Sequence, residues 1–349
     1  MRILVALSGG VDSSVAAALL RNQGHDVVGA TMKLWGGASD SGCCSVADVD
    51  DARRVADRLE IDHHVFNFTE EFDERVVGPY VRAHAAGSTP NPCIECNRHL
   101  KFRSFLDRGL RLGFDAVATG HHARVDHRAP RPRLLRGVDV QKDQSYVLSC
   151  LTERELQPLL LPIGALTKSE VRSVAASLSL PTAAKPDSQD VCFVLGGGGA
   201  SARGRFLSER LTLHAGDVID ARTQQVIGTI PAVELVTVGQ RRGLGVAGGE
   251  RRFAVRVDVE ARRVEVGSED DLLDTGVRLS QQTWVHEPVS LGTTVFVQAS
   301  AHGKVWEAVV TEHGLGYPVP RRRVAPGQTV ALYVEDEVVG SGIVTGEAA

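Results

Sequence analysis

Three cysteines in polar, loop-like text could do covalent chemistry. Cys93 and Cys96 stand in TPNPCIECNRHLKF, residues 89 to 102, directly behind a proline, and Cys192 lies in KPDSQDVCF. Proline favours the first helical position, so Pro92 predicts a helix with both Cys93 and Cys96 in its opening turn. There the positive dipole end favours the thiolate over the thiol. Three chemistries suit such thiols. A CxxC spacing is half of a tetrahedral zinc site, but the chain has no second CxxC, and His99 falls on the same short helix. CxxC with one remote cysteine gives three thiolates (Cys93, Cys96 and Cys192), enough for a 4Fe-4S cluster with one iron left open. A pair acting in turn, one thiol carrying sulfur and the other attacking, needs no metal. The remaining cysteines, Cys43, Cys44 and Cys150, read as small buried hydrophobes.

The second chemical signal is ILVALSGGVDSSVAAALL, a hydrophobic run that leads through Ser8, Gly9 and Gly10 into a helix beginning near Asp12 or Ser13. Glycines let a backbone approach a phosphate, and a helix N-terminus offers unpaired N–H groups to it. Ser8, Ser13 and Ser14 add hydroxyl donors. The same pattern also makes an ordinary strand-turn-helix with a serine cap. Asp12 could organise Mg²⁺ around phosphates or simply cap the helix. The stretch lacks the lysine that follows the glycines of a Walker-type loop. In a parallel sheet, ligands bind at the carboxyl ends of the strands, which is where Met32 and Gly120 fall. Met32 reads equally as plain core.

The elements that must position these residues are of two kinds. Up to about residue 195, short β-rich runs (ILVAL, VVGATMKL, HHVFNF, DAVATG) alternate with helical ones, the rhythm of a parallel α/β sheet. Phe102, Phe105, Leu106 and Leu110 recur at a spacing that puts them on one helix face. LGGGGASARG, Leu195 to Gly204, reads as a hinge or mobile loop. Beyond it, runs such as FAVRVDV, TTVFVQAS and TVALYVED alternate at period two. The expected organisation is an α/β domain over 1–198, a small mixed domain over 205–272 and a C-terminal β-barrel over 276–349.

At 349 residues with a net charge of −4, the chain is no globally basic nucleic-acid binder, although RAPRPRLLR from Arg128 and the Arg321, Arg322, Arg323 run could touch phosphates. Lysine occurs only at 33, 101, 142, 168, 185 and 304, which reads as an arginine-rich composition. No signal-peptide pattern or span of membrane length is present. A cytosolic protein with reduced thiols is expected.

SGGVDSS resembles the PP-loop of ATP pyrophosphatases. Together SGGVDSS, TPNPCIECN, ATGHHARV, KDQSYVL, KPDSQDVCF, GQRRGLG and PGQTVALY occur in the order found in tRNA-specific 2-thiouridylases, so the chain is similar to that family over its whole length. The resemblance implies ATP and Mg²⁺ as reactants, with Ala6, Leu7, Ser8, Gly9, Gly10, Val11, Asp12, Ser13, Met32 and Gly120 around the nucleotide. It implies adenylation of the 2-oxygen of a wobble uridine. Cys192 would carry a persulfide supplied by a relay protein or cysteine desulfurase, and Cys96 would be the nucleophile, with a Cys96 to Cys192 disulfide as one outcome. It places the anticodon stem-loop of tRNA, and neither DNA nor a membrane, against Asn91, Pro92, Cys93, His121, Lys142, Asp143, Gln144 and Gln328. The chain departs from the family at Cys93, where aspartate is common, at Ile230, where histidine is common, and at Ser300, where arginine is expected.

Overall fold

The computed structural model of the chain describes residues 1–35, 46–187, 191–194, 200–246 and 251–346. The first sheet is built from β-branched and aliphatic runs bordered by turns: β1 (Arg2–Ala6), β2 (Asp26–Lys33), β3 (His63–Asn67) and β4 (Ala116–Ala118). After a hairpin of β5 (Ala123–Asp126) and β6 (Arg133–Arg136) it gains the short β7 (Leu159–Leu160). All pairings are parallel, in the order β3-β2-β1-β4-β7. Ile3, Val5 and Leu7 face one side, where they bury against α1 (Val11–Asn22), α2 (Val46–Leu59) and the helix Lys168–Ser177. Leu4, Ala6, Val28, Ala30 and Met32 face the other, against a second apolar cluster that contains Cys96. Alternation along each strand thus yields the three-layer α/β fold that the βαβ rhythm predicts.

Beyond this sheet, β8 (Gly216–Asp220) and β9 (Val226–Ile230) form one antiparallel hairpin, and β10 (Phe253–Asp258) and β11 (Arg263–Gly267) another. A parallel β8–β11 pairing joins them into the expected small mixed sheet. Ile230 is buried in its core, so an aliphatic side chain completes packing there. The last six strands are β12 (Leu273–Trp284), β13 (Thr294–Gln298), β14 (Trp306–Thr311), β15 (Gly314–Arg322), β16 (Thr329–Val334) and β17 (Glu337–Val344). They run antiparallel in the order β12-β15-β14-β13-β16-β17, and a β12–β17 pairing closes the barrel. Ser300 lies in the tight turn after β13, where its carbonyl accepts from the Gln298 side-chain amide at 2.9 Å and from Gly303 N at 3.0 Å.

Several local expectations change. α1 begins at Val11, with Gly10 as its N-cap. The helix entered at Pro92 runs on through a π-helical stretch, Asn97–Phe105, into Leu106–Arg111. Its wider turn breaks the 3.6-residue register, so Phe102 points into one core, Phe105 and Leu106 into another, and Leu110 is 40% exposed. Residues 195–199 of the glycine-rich stretch lie outside the described residues, but its end belongs to the helix Ala200–Ser208. There Gly204 lets the Leu235 side chain approach to 3.3 Å of where a Cβ would stand. The RAPRPRLLR arginines are occupied within the chain: Arg128 pairs with Asp126, Arg131 with Glu153 and Glu287, Arg133 with Glu337, and Arg136 with Asp143. In the later run, Arg323 holds Asp274 at 2.8 Å and Arg322 donates to Gly239 O at 2.7 Å. Cys43 and Cys44 lie outside the described residues.

Candidate active site

Where β1 ends, Gly9 takes a left-handed φ of +71°, and a Cβ there would lie 2.3 Å from the carbonyl oxygen of Asp48 on α2. Only glycine fits. Gly10 caps α1 in extended conformation with no side-chain hydrogen bond to the helix, which leaves the first-turn amides pointing out of the carboxyl edge of the sheet. Two of the serines are bonded within the loop: the Ser13 and Ser14 hydroxyls donate to Gly10 O at 3.1 and 2.7 Å, and the Thr182 hydroxyl donates to Ser14 Oγ at 2.9 Å. They shape the loop, while Ser8 stays exposed. Leu7 is a brace as well, its side chain buried, its N–H donated to Ala30 O and its carbonyl accepting the Thr31 hydroxyl at 2.7 Å. Ala6 and Val11 are buried on opposite sides of the sheet. Met32 packs in the core cluster at the end of β2. Gly120, just after β4, is where the chain passes α1: a Cβ would sit 2.5 Å from Ser13 N. Together these residues make an anion cradle at the sheet's carboxyl edge.

Beside the cradle lies a charge network that sequence reasoning missed. Both Asp12 oxygens accept from the Lys168 ammonium at 2.8 Å, and His122 Nε2 stands 3.2 Å from one of them. Burial alone would raise the Asp12 pKa, but these hydrogen bonds and the lysine charge outweigh it and hold the carboxyl below its usual range. Lys168 also meets Asp187 at 2.8 Å, and Asp187 receives Lys142 at 2.7 Å and Arg172 at 2.8 Å. Burial opposes ionisation of Asp187 too, yet its lysine partners bring it down to about 2. Lys185 closes the array by bridging Asp48 and Asp51 at 2.7 and 2.6 Å. The available signal was the scarcity of lysine: three of the six, in a chain that otherwise uses arginine, gather here. Asp12, expected to organise Mg²⁺ or cap the helix, instead carries an ammonium on both oxygens, so the carboxylate does not fit a metal ion in this arrangement.

Asn91 caps the helix Pro92–Cys96, its Oδ1 accepting from Cys93 N at 3.1 Å. Pro92 is the first helical residue, as expected. Cys93 is exposed in the opening turn, whereas Cys96, one turn further in, is buried in the apolar cluster on the sheet. Cys192 packs against that same cluster. Its neighbour Phe193 is 3% exposed and locked between Phe72, Tyr80 and Phe206, with ring centroids 5.7, 5.4 and 5.0 Å away. Phe193 and Val194 hold the described residues after Cys192 in the cluster. Cys96 and Cys192 thus pack with one large apolar cluster, some of whose members, Ala6, Met32 and Leu34 among them, lie at the carboxyl ends of β1 and β2. Among the described residues no three His, Cys, Asp or Glu side chains gather as metal ligands, Cys93, Cys96 and Cys192 included, and His99 meets Glu95 at 3.2 Å. Cys150 is a buried hydrophobe as read, its thiol pushed up to about 12 chiefly by burial.

Of the residues expected to face a partner, several are turned inward. The Asp143 carboxylate is buried and accepts from Gly137 N, Ser145 N, the Ser145 hydroxyl and Arg136 at 2.8 to 3.0 Å. It organises its own turn. Gln144 is bonded to the main chain of His122 at 2.9 Å. His121 is buried against Phe102 with its Nδ1 2.8 Å from the Thr119 hydroxyl, and burial, then Lys101, drive its pKa well down. The Gln328 side chain donates to Thr89 O, while Thr89 N donates to Pro326 O at 2.8 Å, so this barrel turn grips the segment leading to Cys93. Lys142 is half-exposed through its pair with Asp187.

The chain matches models of a tRNA methyl transferase HUP domain over residues 1–196, a tRNA methyl transferase PRC-barrel domain over 204–268 and an aminomethyltransferase beta-barrel domain over 274–344. It is 40% identical to the tRNA-specific 2-thiouridylase MnmA of Herpetosiphon aurantiacus, covering 99% of each chain. It is 43% identical to that of Chloroflexus aurantiacus, over 97% of each, and 42% identical to that of Roseiflexus castenholzii, over 98% of each. With its parallel sheet, mixed linking sheet and closed barrel in the order these models prescribe, the chain belongs to the tRNA-specific 2-thiouridylase family.

Proposed function

We infer that this chain catalyses the ATP-dependent 2-thiolation of uridine in tRNA. The observation that carries this reading is that two thiols, Cys96 and Cys192, pack with one apolar cluster on the sheet whose carboxyl edge also holds a helix N-terminus without a side-chain cap. A uridine carbonyl has no leaving group. If its 2-oxygen attacks the α-phosphorus of ATP, pyrophosphate departs and the oxygen becomes part of a phosphate ester. The first-turn amides of α1 receive the charge of the departing pyrophosphate. The terminal sulfur of a persulfide on Cys192 then attacks C2, the C–O bond breaks and AMP leaves. The Cys96 thiolate attacks Cys192 Sγ, which breaks the S–S bond, releases the 2-thiouridine and leaves a Cys96–Cys192 disulfide. A dithiol donor must reduce that disulfide before the next turnover, and a sulfur-relay protein or cysteine desulfurase must reload Cys192.

Burial of Cys96 shields its sulfur from solvent until a base is delivered, which suits a nucleobase splayed out of the anticodon loop as the substrate. The wobble uridine is the position proposed, and the reducing cytosol the compartment. Magnesium, when bound to ATP, would neutralise phosphate charge; the residues at Asp12 fit an ammonium instead, and no step above passes through a metal. Among the described residues no helix is long and apolar enough to cross a membrane.

The test incubates purified protein with ATP, Mg²⁺, a persulfide donor and unmodified tRNA and measures 2-thiouridine by mass spectrometry of digested nucleosides. Wild type forms it. Cys96→Ser and Cys192→Ser each lower the yield by about 100-fold or more, since the removed sulfur carries a bond-forming step. Cys150→Ala, which alters a buried hydrophobe, leaves it within about threefold. Undiminished product in either of the first two variants sinks the two-thiol relay.

A further inference from the structure

The cradle before α1 holds Ser8, Gly9 and Gly10 but no lysine of its own, and a triphosphate placed on its amides would lie next to the carboxylate of Asp12. A helix dipole worth about half a charge does not offset that repulsion. The cation comes from another part of the chain. Lys168 is the first residue of the helix Lys168–Ser177, which is fixed at its start by a capping box of Thr167 and Glu170 and by a Lys168 N to Asp139 bond of 2.9 Å. Its side chain is 11% exposed, and its ammonium spans Asp12 and Asp187 with three contacts of 2.8 Å. Asp187 in turn is held by Lys142 and by Arg172, so it cannot follow the lysine if the lysine moves.

Such burial of an ammonium is costly and α1 does not need it, since an acidic first-turn residue is already favourable at a helix N-terminus. The choice of lysine is informative too. A guanidinium would bind a carboxylate in a fixed fork, whereas an ammonium on a four-carbon stem is a compact charge that can pass from one oxygen to another. Resting on the ATP-dependent reading above, we propose that Lys168 is the cation that contacts the pyrophosphate portion of ATP, parked on Asp12 and Asp187 until phosphate oxygens replace them, and that Asp187 positions it.

The experiment uses the full-length protein and calorimetric binding of ATP, pyrophosphate and AMP. Lys168→Met weakens ATP and pyrophosphate by about tenfold or more, the worth of one charge-assisted hydrogen bond, and leaves AMP within about twofold. Equal loss of all three ligands, or no loss, overturns the proposal, because a lysine that only holds the fold together would not tell pyrophosphate from AMP. Should Lys168→Met fail to fold, wild type labelled with ¹⁵N-lysine gives the answer. The Lys168 Nζ resonance, identified by its absence in Lys168→Arg, shifts with pyrophosphate and stays put with AMP; the reverse, or no shift, refutes the contact. For Asp187, the Asp187→Asn variant raises the KM for ATP several-fold with kcat for thiolation within about twofold, and Asp187→Glu restores it. A fall in kcat alone, without the KM change or the rescue, overturns the positioning role. If wild type makes no 2-thiouridine at all, the functional reading fails, while the binding measurements still decide Lys168.

Discussion

At the scale of single residues, the sharpest constraint is at Gly120. A methyl group there would meet Ser13 N at 2.5 Å, the Asp12 carbonyl carbon at 2.6 Å and Ser13 Cα at 2.8 Å, all main-chain atoms of the turn that opens the cradle. Backbone cannot swing aside as a side chain can. Gly120→Ala should therefore cost about 1–3 kcal/mol and push α1 away from the phosphate position. Thermal melting and ATP titration should both show it, and a variant that melts and binds like wild type would mean the turn yields without cost. The place of Gly120 at the end of a strand was legible from the ATGHH string, as the cradle was from SGGVDSS, but the close approach to Ser13 was not. The neighbours of Asp12 were not. Lys168 and Asp12 are 156 positions apart, and only the packing of two helices on one sheet face brings them to 2.8 Å. The burial of Asp143 was not legible either, because a polar triplet carries no sign of which member the fold turns inward.

At the scale of elements, the helix Gly78–Ala85 shows how a buried titratable group can be tied to a packing contact. His84 is 2% exposed, stacks edge-on to Tyr80 at 4.7 Å and has its Nδ1 3.4 Å from Glu234 O, while its Nε2 is buried with no hydrogen-bond partner among the described residues. Burial, helped by the Arg203 charge, lowers its pKa to about 4. Because this lies below the unfolded value, the unfolded chain takes up the proton first as pH falls. The imidazole's contribution is therefore whole above pH 6.5 and is lost between pH 6.5 and 4, about 3 kcal/mol at most. Urea unfolding across that window should show a steep acid limb in wild type and a flatter one in His84→Gln, and parallel limbs would exclude His84 as the source. Element types and order were readable from periodicity. The register of the Cys96 helix was not, because a π-helical stretch has no hydrophobic period that distinguishes it from an α-helix read for a few turns.

At the scale of the whole molecule, the sequence separates three sheets but hides how two of them share material. The hairpin β5–β6 leaves the first sheet and pairs with the barrel through Leu135 and Glu337. Beneath it Ile94, Leu134, Tyr146 and Leu148 form one core with Val285, Ala331, Tyr333 and Val338 of the barrel, and all eight are buried. Polar bonds cross the same surface: Tyr146 OH donates to Ala299 O and Thr329 O at 3.1 and 3.0 Å, the Ser341 hydroxyl donates to Ser149 O at 2.9 Å, and Arg98 donates to the Thr283 hydroxyl at 2.9 Å. Period-two alternation tells which face of a strand is apolar, not which domain covers it, so this union could not be read from text. Its consequence is that residues 1–198 should not be stable as an autonomous unit, although their parallel sheet is complete. Four large residues from that segment lose their covering, each worth about 1.5–3 kcal/mol of burial, and Tyr146 loses both acceptors of its hydroxyl. At about 2–4 °C per kcal/mol for a chain of this size, the isolated fragment should melt more than about 10 °C below the full protein. It should also bind an apolar dye that the full protein ignores. Adding the fragment 199–349 in trans should quench the dye and raise the melting point, because it returns the barrel face to Tyr146 and Leu134. A fragment that melts within a few degrees of the full chain and leaves the dye dark would show that the helix carrying Cys96 is held by the first sheet alone, with no support from the barrel.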